Sequence, residues 1–93
     1  MDQDDAAGPR ARVTIYTRPF CGYCARALSV LRGKGANFDE IEAGFDPDKR
    51  REMIARSGRQ TFPQIFIGET YVGGCDEMLE LDRMGKLDAL LAG

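Results

Sequence analysis

The chain has 93 residues, 43% hydrophobic and 30% charged, which makes one domain of ordinary globular composition with no run near the roughly 18 apolar residues of a membrane span. Asp2, Asp4 and Asp5 against Arg10 hold the whole net charge of −2 in the first eleven residues, so residues 12–93 sum to zero and offer no broad electrostatic footprint for nucleic acid or anionic lipid. An Asp-rich start unlike a signal peptide, and three cysteines that form no secretory disulfide framework, lead to the expectation of a reducing, cytoplasmic setting.

Residues 1–11 carry Asp, Ala and Gly8-Pro9 without periodicity and read as a flexible acidic tail. Residues 12–93 form the domain. Arg12 to Thr17 is the first strand, and Val13, Ile15 and Tyr16 predict a strand covered on both faces. Gly22 to Arg32 is a helix with Cys24, Ala27, Leu28 and Leu31 on one face, stopped by Gly33 and Gly35.

Asn37 to Glu42 follows as a second strand whose Phe38 and Ile41 do not alternate cleanly. Asp46 as N-cap and Pro47 at the first helical position open a polar helix to about Ser57, with Met53 and Ile54 in a narrow buried stripe. Gln64 to Ile67 and Thr70 to Val72 read as a hairpin turned by Gly68-Glu69. Asp76 to Met84 and Lys86 to Leu91 close the chain as helices broken at Gly85. The order β-α-β-α-β-β-α-α is that of an α/β fold with a small mixed sheet.

Chemistry concentrates in Cys21-Gly22-Tyr23-Cys24, delivered by a strand to the first turn of a helix. Unpaired N–H groups and the positive dipole end stabilise a thiolate at Cys21, and Arg18 adds a nearby cation. Such a thiolate is above all a good leaving group. Cys24, one turn further on the apolar face, is expected to be buried and less acidic. A zinc half-site is the alternative for the pair, but the chain has no histidine and one further cysteine, Cys75, where zinc wants four ligands.

Arg18-Pro19-Phe20-Cys21-Gly22-Tyr23-Cys24, Thr61-Phe62-Pro63 and Gly73-Gly74-Cys75-Asp76, in this order and spacing, resemble a dithiol glutaredoxin over about residues 12–91. The resemblance implies a thioredoxin fold, a four-stranded mixed sheet ordered 2-1-3-4 and flanked by helices. It implies an enzyme, a glutathione-dependent thiol–disulfide oxidoreductase. Cys21 would be nucleophile and leaving thiolate, and Cys24 the resolving thiol.

Glutathione would be the co-substrate. Protein disulfides and protein–glutathione mixed disulfides would be the clients of a protein expected to be a monomer. Pro63 would follow a cis bond, and Phe62, where the family often has Val, would pair its backbone with glutathione as a short added strand. Thr61 belongs to the same loop, and Tyr23 would flank the thiol. Backbone N–H groups at Gly74, Cys75 and Asp76 would hold the γ-glutamyl carboxylate, with the Asp76 carboxylate on its ammonium. Asp76 as an ordinary helix N-cap is the plainer alternative. Arg18 would take the glycyl carboxylate, with Arg50 at the family's second cationic position. No dedicated metal site is implied, yet Gly22 in place of the common Pro resembles glutaredoxins that share a [2Fe–2S] cluster. In those a homodimer holds it through the first cysteine of each protomer and two glutathiones.

Overall fold

The structure, a computed structural model, describes residues 10–93. Most of the expected acidic tail, residues 1–9, lies outside the described residues. Its last two residues are tied down: Ala11 N–H donates to Leu91 O at 3.1 Å, and Arg10 donates to Lys34 O at 3.4 Å.

The elements run β1 (Arg12–Thr17), α1 (Gly22–Gly33), β2 (Asn37–Glu42), α2 (Pro47–Ser57), β3 (Gln64–Ile67), β4 (Thr70–Gly73), α3 (Cys75–Arg83) and α4 (Leu87–Ala92). They form one sheet ordered β2-β1-β3-β4, with β1 parallel to β2 and antiparallel to β3, and β3 antiparallel to β4. This is the four-stranded mixed sheet of the 2-1-3-4 expectation. Strand β2 pairs in register from Arg12 with Asn37 to Thr17 with Glu42. It is an edge strand, which accounts for its broken alternation: only Phe38 and Ile41 are partly covered.

Alternation along β1 and β3 builds two cores. Val13, Ile15, Ile65 and Ile67 face α1, α3 and α4, where Ala27, Leu28, Leu31, Met78, Leu87 and Leu91 are buried against them. Tyr16 and Phe66 face the other way, toward Ala43 and Met53 of the smaller core beneath α2. That thinner side is reinforced by polar contacts. Tyr16 O–H donates to Glu52 Oε2 at 2.5 Å and accepts from Arg56 at 2.8 Å, while the Arg56 guanidinium lies 4.1 Å from the Phe66 ring centroid. On the opposite side Lys34 Nζ reaches both Asp82 (2.8 Å) and Asp88 (2.9 Å), closing the end of α1 onto α3 and α4.

Helix α3 and the β3–β4 hairpin differ from the sequence expectation. Helix α3 starts at Cys75 with Gly74 as its N-cap, so Asp76 lies in the first turn and not at the cap. The β3–β4 ladder slips by one residue between Ile65–Gly73 and Phe66–Tyr71, leaving a bulge at Val72 just before that helix. Met84, expected as the last residue of that helix, is its C-cap and half-exposed, because α3 ends one residue earlier. Among the described residues no helix is long and apolar enough to cross a membrane.

Candidate active site

The β1 strand runs straight into the site. After Thr17 the loop Arg18-Pro19-Phe20 turns sharply, with Phe20 in the left-handed region (φ 56°) and 98% exposed. A left-handed phenylalanine costs about 1–2 kcal/mol over an ordinary conformation, so the turn is held by its surroundings. The Arg18 guanidinium folds over it, donating to Pro19 O at 3.1 Å and Phe20 O at 3.2 Å.

Gly44 makes room for this turn. A Cβ there would stand 2.6 Å from Arg18 Cβ and 3.0 Å from Pro19 Cδ. Gly44→Ala is therefore expected to lower unfolding stability by about 1–3 kcal/mol, the range for overpacking, measured as a reduced denaturant midpoint at unchanged slope. An unshifted midpoint would show that the loop gives way freely.

Cys21 is the N-cap of α1, with extended backbone (φ −121°, ψ 105°). Its sulfur accepts the Cys24 N–H at 3.2 Å and lies 3.9 Å from Phe62 O. The helix thus directs an otherwise orphaned donor at the sulfur. Cys21 is partly exposed, while Cys24 is buried. The Cys24 thiol is pushed up to about 12, chiefly by burial and then by its hydrogen bond with Cys21, against the weaker opposing pull of the Arg18 backbone N–H and charge. The pair is therefore unequal: one accessible sulfur at a helix end and one protonated sulfur beneath it.

The Phe62–Pro63 peptide is cis. Two hollows open beside it, meeting at Tyr23, Thr61 and Phe62. One, of about 240 Å³, continues to Gly74, Cys75, Asp76 and Glu77. The other, of about 430 Å³, is bounded by Arg18, Arg50 and Gln60. The Arg50 guanidinium lies 5.5 Å from the Phe62 ring centroid, a stacking partner that an aliphatic side chain could not supply. All ten sequence-predicted site residues are brought to this one face: Cys21 and Cys24 on α1, Arg18 and Tyr23 beside them, and Thr61, Phe62, Pro63, Gly74, Cys75 and Asp76 across the hollows.

Three residues were not expected there. Arg59 and Gln60 precede the proline loop and reach the hollows from an irregular segment that carries no periodic signal. Glu77 accepts the Gly74 N–H at 2.7 Å and Arg59 at 3.4 Å, and these contacts, led by the Gly74 bond, hold its carboxyl below the usual range. The Gly74-x-x-Glu77 spacing, half of a capping box, is the signal that finds it. Asp76 is exposed and makes no hydrogen bond or ion pair among the described residues. Cys75 is buried, its thiol raised chiefly by that burial.

The glutaredoxin family model matches residues 13–72. A glutaredoxin of Pseudomonas aeruginosa is 51% identical over 80 residues, covering 86% of this chain and 95% of its own. Glutaredoxin 3 of Escherichia coli (strain K12) is 51% identical over 81 residues, covering 87% and 98%. Among solved structures, the glutaredoxin of Brucella melitensis is 58% identical with a TM-score of 0.80, covering 91% of this chain and 92% of that one. A buckwheat glutaredoxin solved in complex with glutathione is 31% identical with a TM-score of 0.78, covering 87% and 76%. A fold, a dithiol site and relatives that agree along nearly the whole described length leave one assignment: the chain belongs to the glutaredoxin family.

Proposed function

We propose that Cys21 carries the chemistry of this glutathione-dependent thiol–disulfide oxidoreductase and that the two hollows together bind glutathione. The observation that supports this most is the Cys21 sulfur, capped by the Cys24 N–H and 3.9 Å from Phe62 O. A glutathione joined to that sulfur lies where the Phe62 backbone can pair with its cysteinyl unit as an added strand. Its glycyl carboxylate then points to Arg18 and Arg50, and its γ-glutamyl end to the first turn of α3 and the Asp76 carboxylate.

The reaction on a protein–glutathione mixed disulfide takes two exchanges. The Cys21 thiolate attacks the glutathione sulfur, forming a Cys21–glutathione disulfide and expelling the client thiolate, which takes up a proton. A second glutathione thiolate then attacks the same glutathione sulfur. Glutathione disulfide leaves, and Cys21 departs as thiolate. A protein disulfide follows the other branch: Cys21 forms a disulfide with the client, and Cys24 attacks Cys21. The reduced client is released, and two glutathiones reduce the resulting Cys21–Cys24 bond.

The family and its relatives favour this enzyme over a glutathione-ligated [2Fe–2S] homodimer. Of the chain's own thiols only Cys21 suits such a cluster, since Cys24 is buried and protonated and cluster iron takes thiolates. Incubation of the Cys24→Ser variant, which cannot resolve the adduct, with glutathione disulfide followed by peptide mapping tests the assignment. The adduct is expected on Cys21, with Cys75 unmodified. Glutathione found mainly on Cys75 would overturn it.

A further inference from the structure

Gln64 is fully buried, yet it is the first residue of β3 and stands beside the proline loop. A buried amide must have all its hydrogen bonds met within the protein, and the way they are met is directional. Gln64 Nε2 donates to Thr61 O at 2.9 Å and to Thr61 Oγ1 at 3.0 Å. Thr61 O is a carbonyl and can only accept, which fixes which end of the amide faces it. Gln64 Oε1 therefore points the other way, where Tyr71 O–H donates to it at 2.5 Å. Tyr71 itself sits on the edge strand β4, half-exposed, its ring 5.0 Å from that of Phe66.

The consequence falls on Thr61. Its hydroxyl already accepts from Gln64, so its own hydrogen is released for a partner outside. Thr61 is exposed and lines the hollow that also carries Arg18 and Arg50, where two cations select an anionic acceptor. We propose that Gln64, backed by Tyr71, is a positioning residue that turns the Thr61 hydroxyl outward as a donor to the glycyl carboxylate of glutathione. Each bond in the series Tyr71 to Gln64 to Thr61 to carboxylate polarises the next. The inference rests on the reading of the two hollows as a glutathione site.

The test is steady-state kinetics on two mixed disulfides of one cysteine-containing peptide, one with glutathione and one with glutathione whose glycyl carboxylate is an amide. In Gln64→Glu the side chain has at most one hydrogen where the amide has two, so it cannot serve both the carbonyl and the hydroxyl of Thr61. KM for the glutathione substrate is expected to rise about tenfold in Gln64→Glu and about threefold in Tyr71→Phe, the scale of a charge-assisted hydrogen bond lost or weakened, with kcat within about twofold. KM for the amide substrate is expected to change by less than about twofold, and in a Thr61→Val background Gln64→Glu should add little.

An equal rise on both substrates, a loss that persists with Thr61→Val, or no change would overturn the relay. Should Gln64→Glu not fold, Tyr71→Phe on the exposed edge decides by the same criteria. Wild-type protein inert toward the glutathione substrate would instead overturn the glutathione site itself, and the relay with it.

Discussion

Serine in place of Cys21 is expected to abolish turnover of both protein disulfides and glutathione mixed disulfides, a loss of at least about a thousandfold. A hydroxyl neither ionises near neutral pH nor leaves from a disulfide, so both exchanges lose their sulfur. Serine in place of Cys24 is expected to separate the two activities. Reduction of a glutathione mixed disulfide needs only Cys21 and a second glutathione, and should stay within a few-fold of wild type. Reduction of a protein disulfide needs Cys24 to attack Cys21, and should fall at least about a hundredfold. Two coupled assays, one for each substrate class, read this division. Equal losses in both for Cys24→Ser would mean that the buried thiol supports Cys21 and does not resolve it.

The second large effect concerns pH. Cys24, held at about 12 mainly by burial and next by its hydrogen bond with Cys21, is almost wholly protonated at neutral pH. In a Cys21–glutathione adduct the Cys21 contribution is gone, and burial is the cause expected to keep the thiol raised. Below its pKa the thiolate fraction grows tenfold per pH unit, and the thiolate is the attacking species. A purified Cys21–glutathione adduct, freed of excess glutathione, should therefore release glutathione by Cys24 attack about tenfold faster for each unit between pH 6 and 8. A pH-independent release would place the Cys24 pKa in the adduct below that window.

The same shift has a stability counterpart. Cys24 is raised above its ordinary value of 9.0, so the folded state holds a proton that the unfolded chain releases. Its contribution is complete below about pH 9 and is lost as pH rises through about 12. Cys24→Ala should lack that part of the alkaline decline.

Much of this was legible in the residues because the signals were local. The face formed by Cys24, Ala27, Leu28 and Leu31 is buried as periodicity predicts, and Asp46-Pro47 opens α2 with the Asp46 carboxylate accepting the Asp48 and Lys49 N–H groups. The covered faces of β1 follow from Val13 and Ile15 on one side and Tyr16 on the other. What escaped depends on partners far along the chain. Gly44 is small because Arg18 passes against it, and Gln64 is buried because Tyr71 and Thr61 complete its bonds. Neither fact has a periodicity. The start of α3 was misplaced because an acidic residue at a strand–helix junction looks like a cap, whereas Glu77 reaching back to Gly74 does that work.

The two cores beneath the sheet are unequal, and local opening is easiest where few apolar groups are buried. Helix α1, with both thiols, shares the large core with α3 and α4, while α2 rests on Met53, Ala43, Tyr16 and Phe66 and the Arg56 contacts. The protein accordingly has a hard half and a soft half, and the groove straddles them. The sulfur atoms and the first turn of α3 belong to the hard half; Arg50 rides on the soft one. Partial opening of α2 removes a cation from the groove and leaves the dithiol standing. If the groove binds glutathione as proposed, redox competence is expected to outlast selectivity for glutathione as conditions become less favourable to folding.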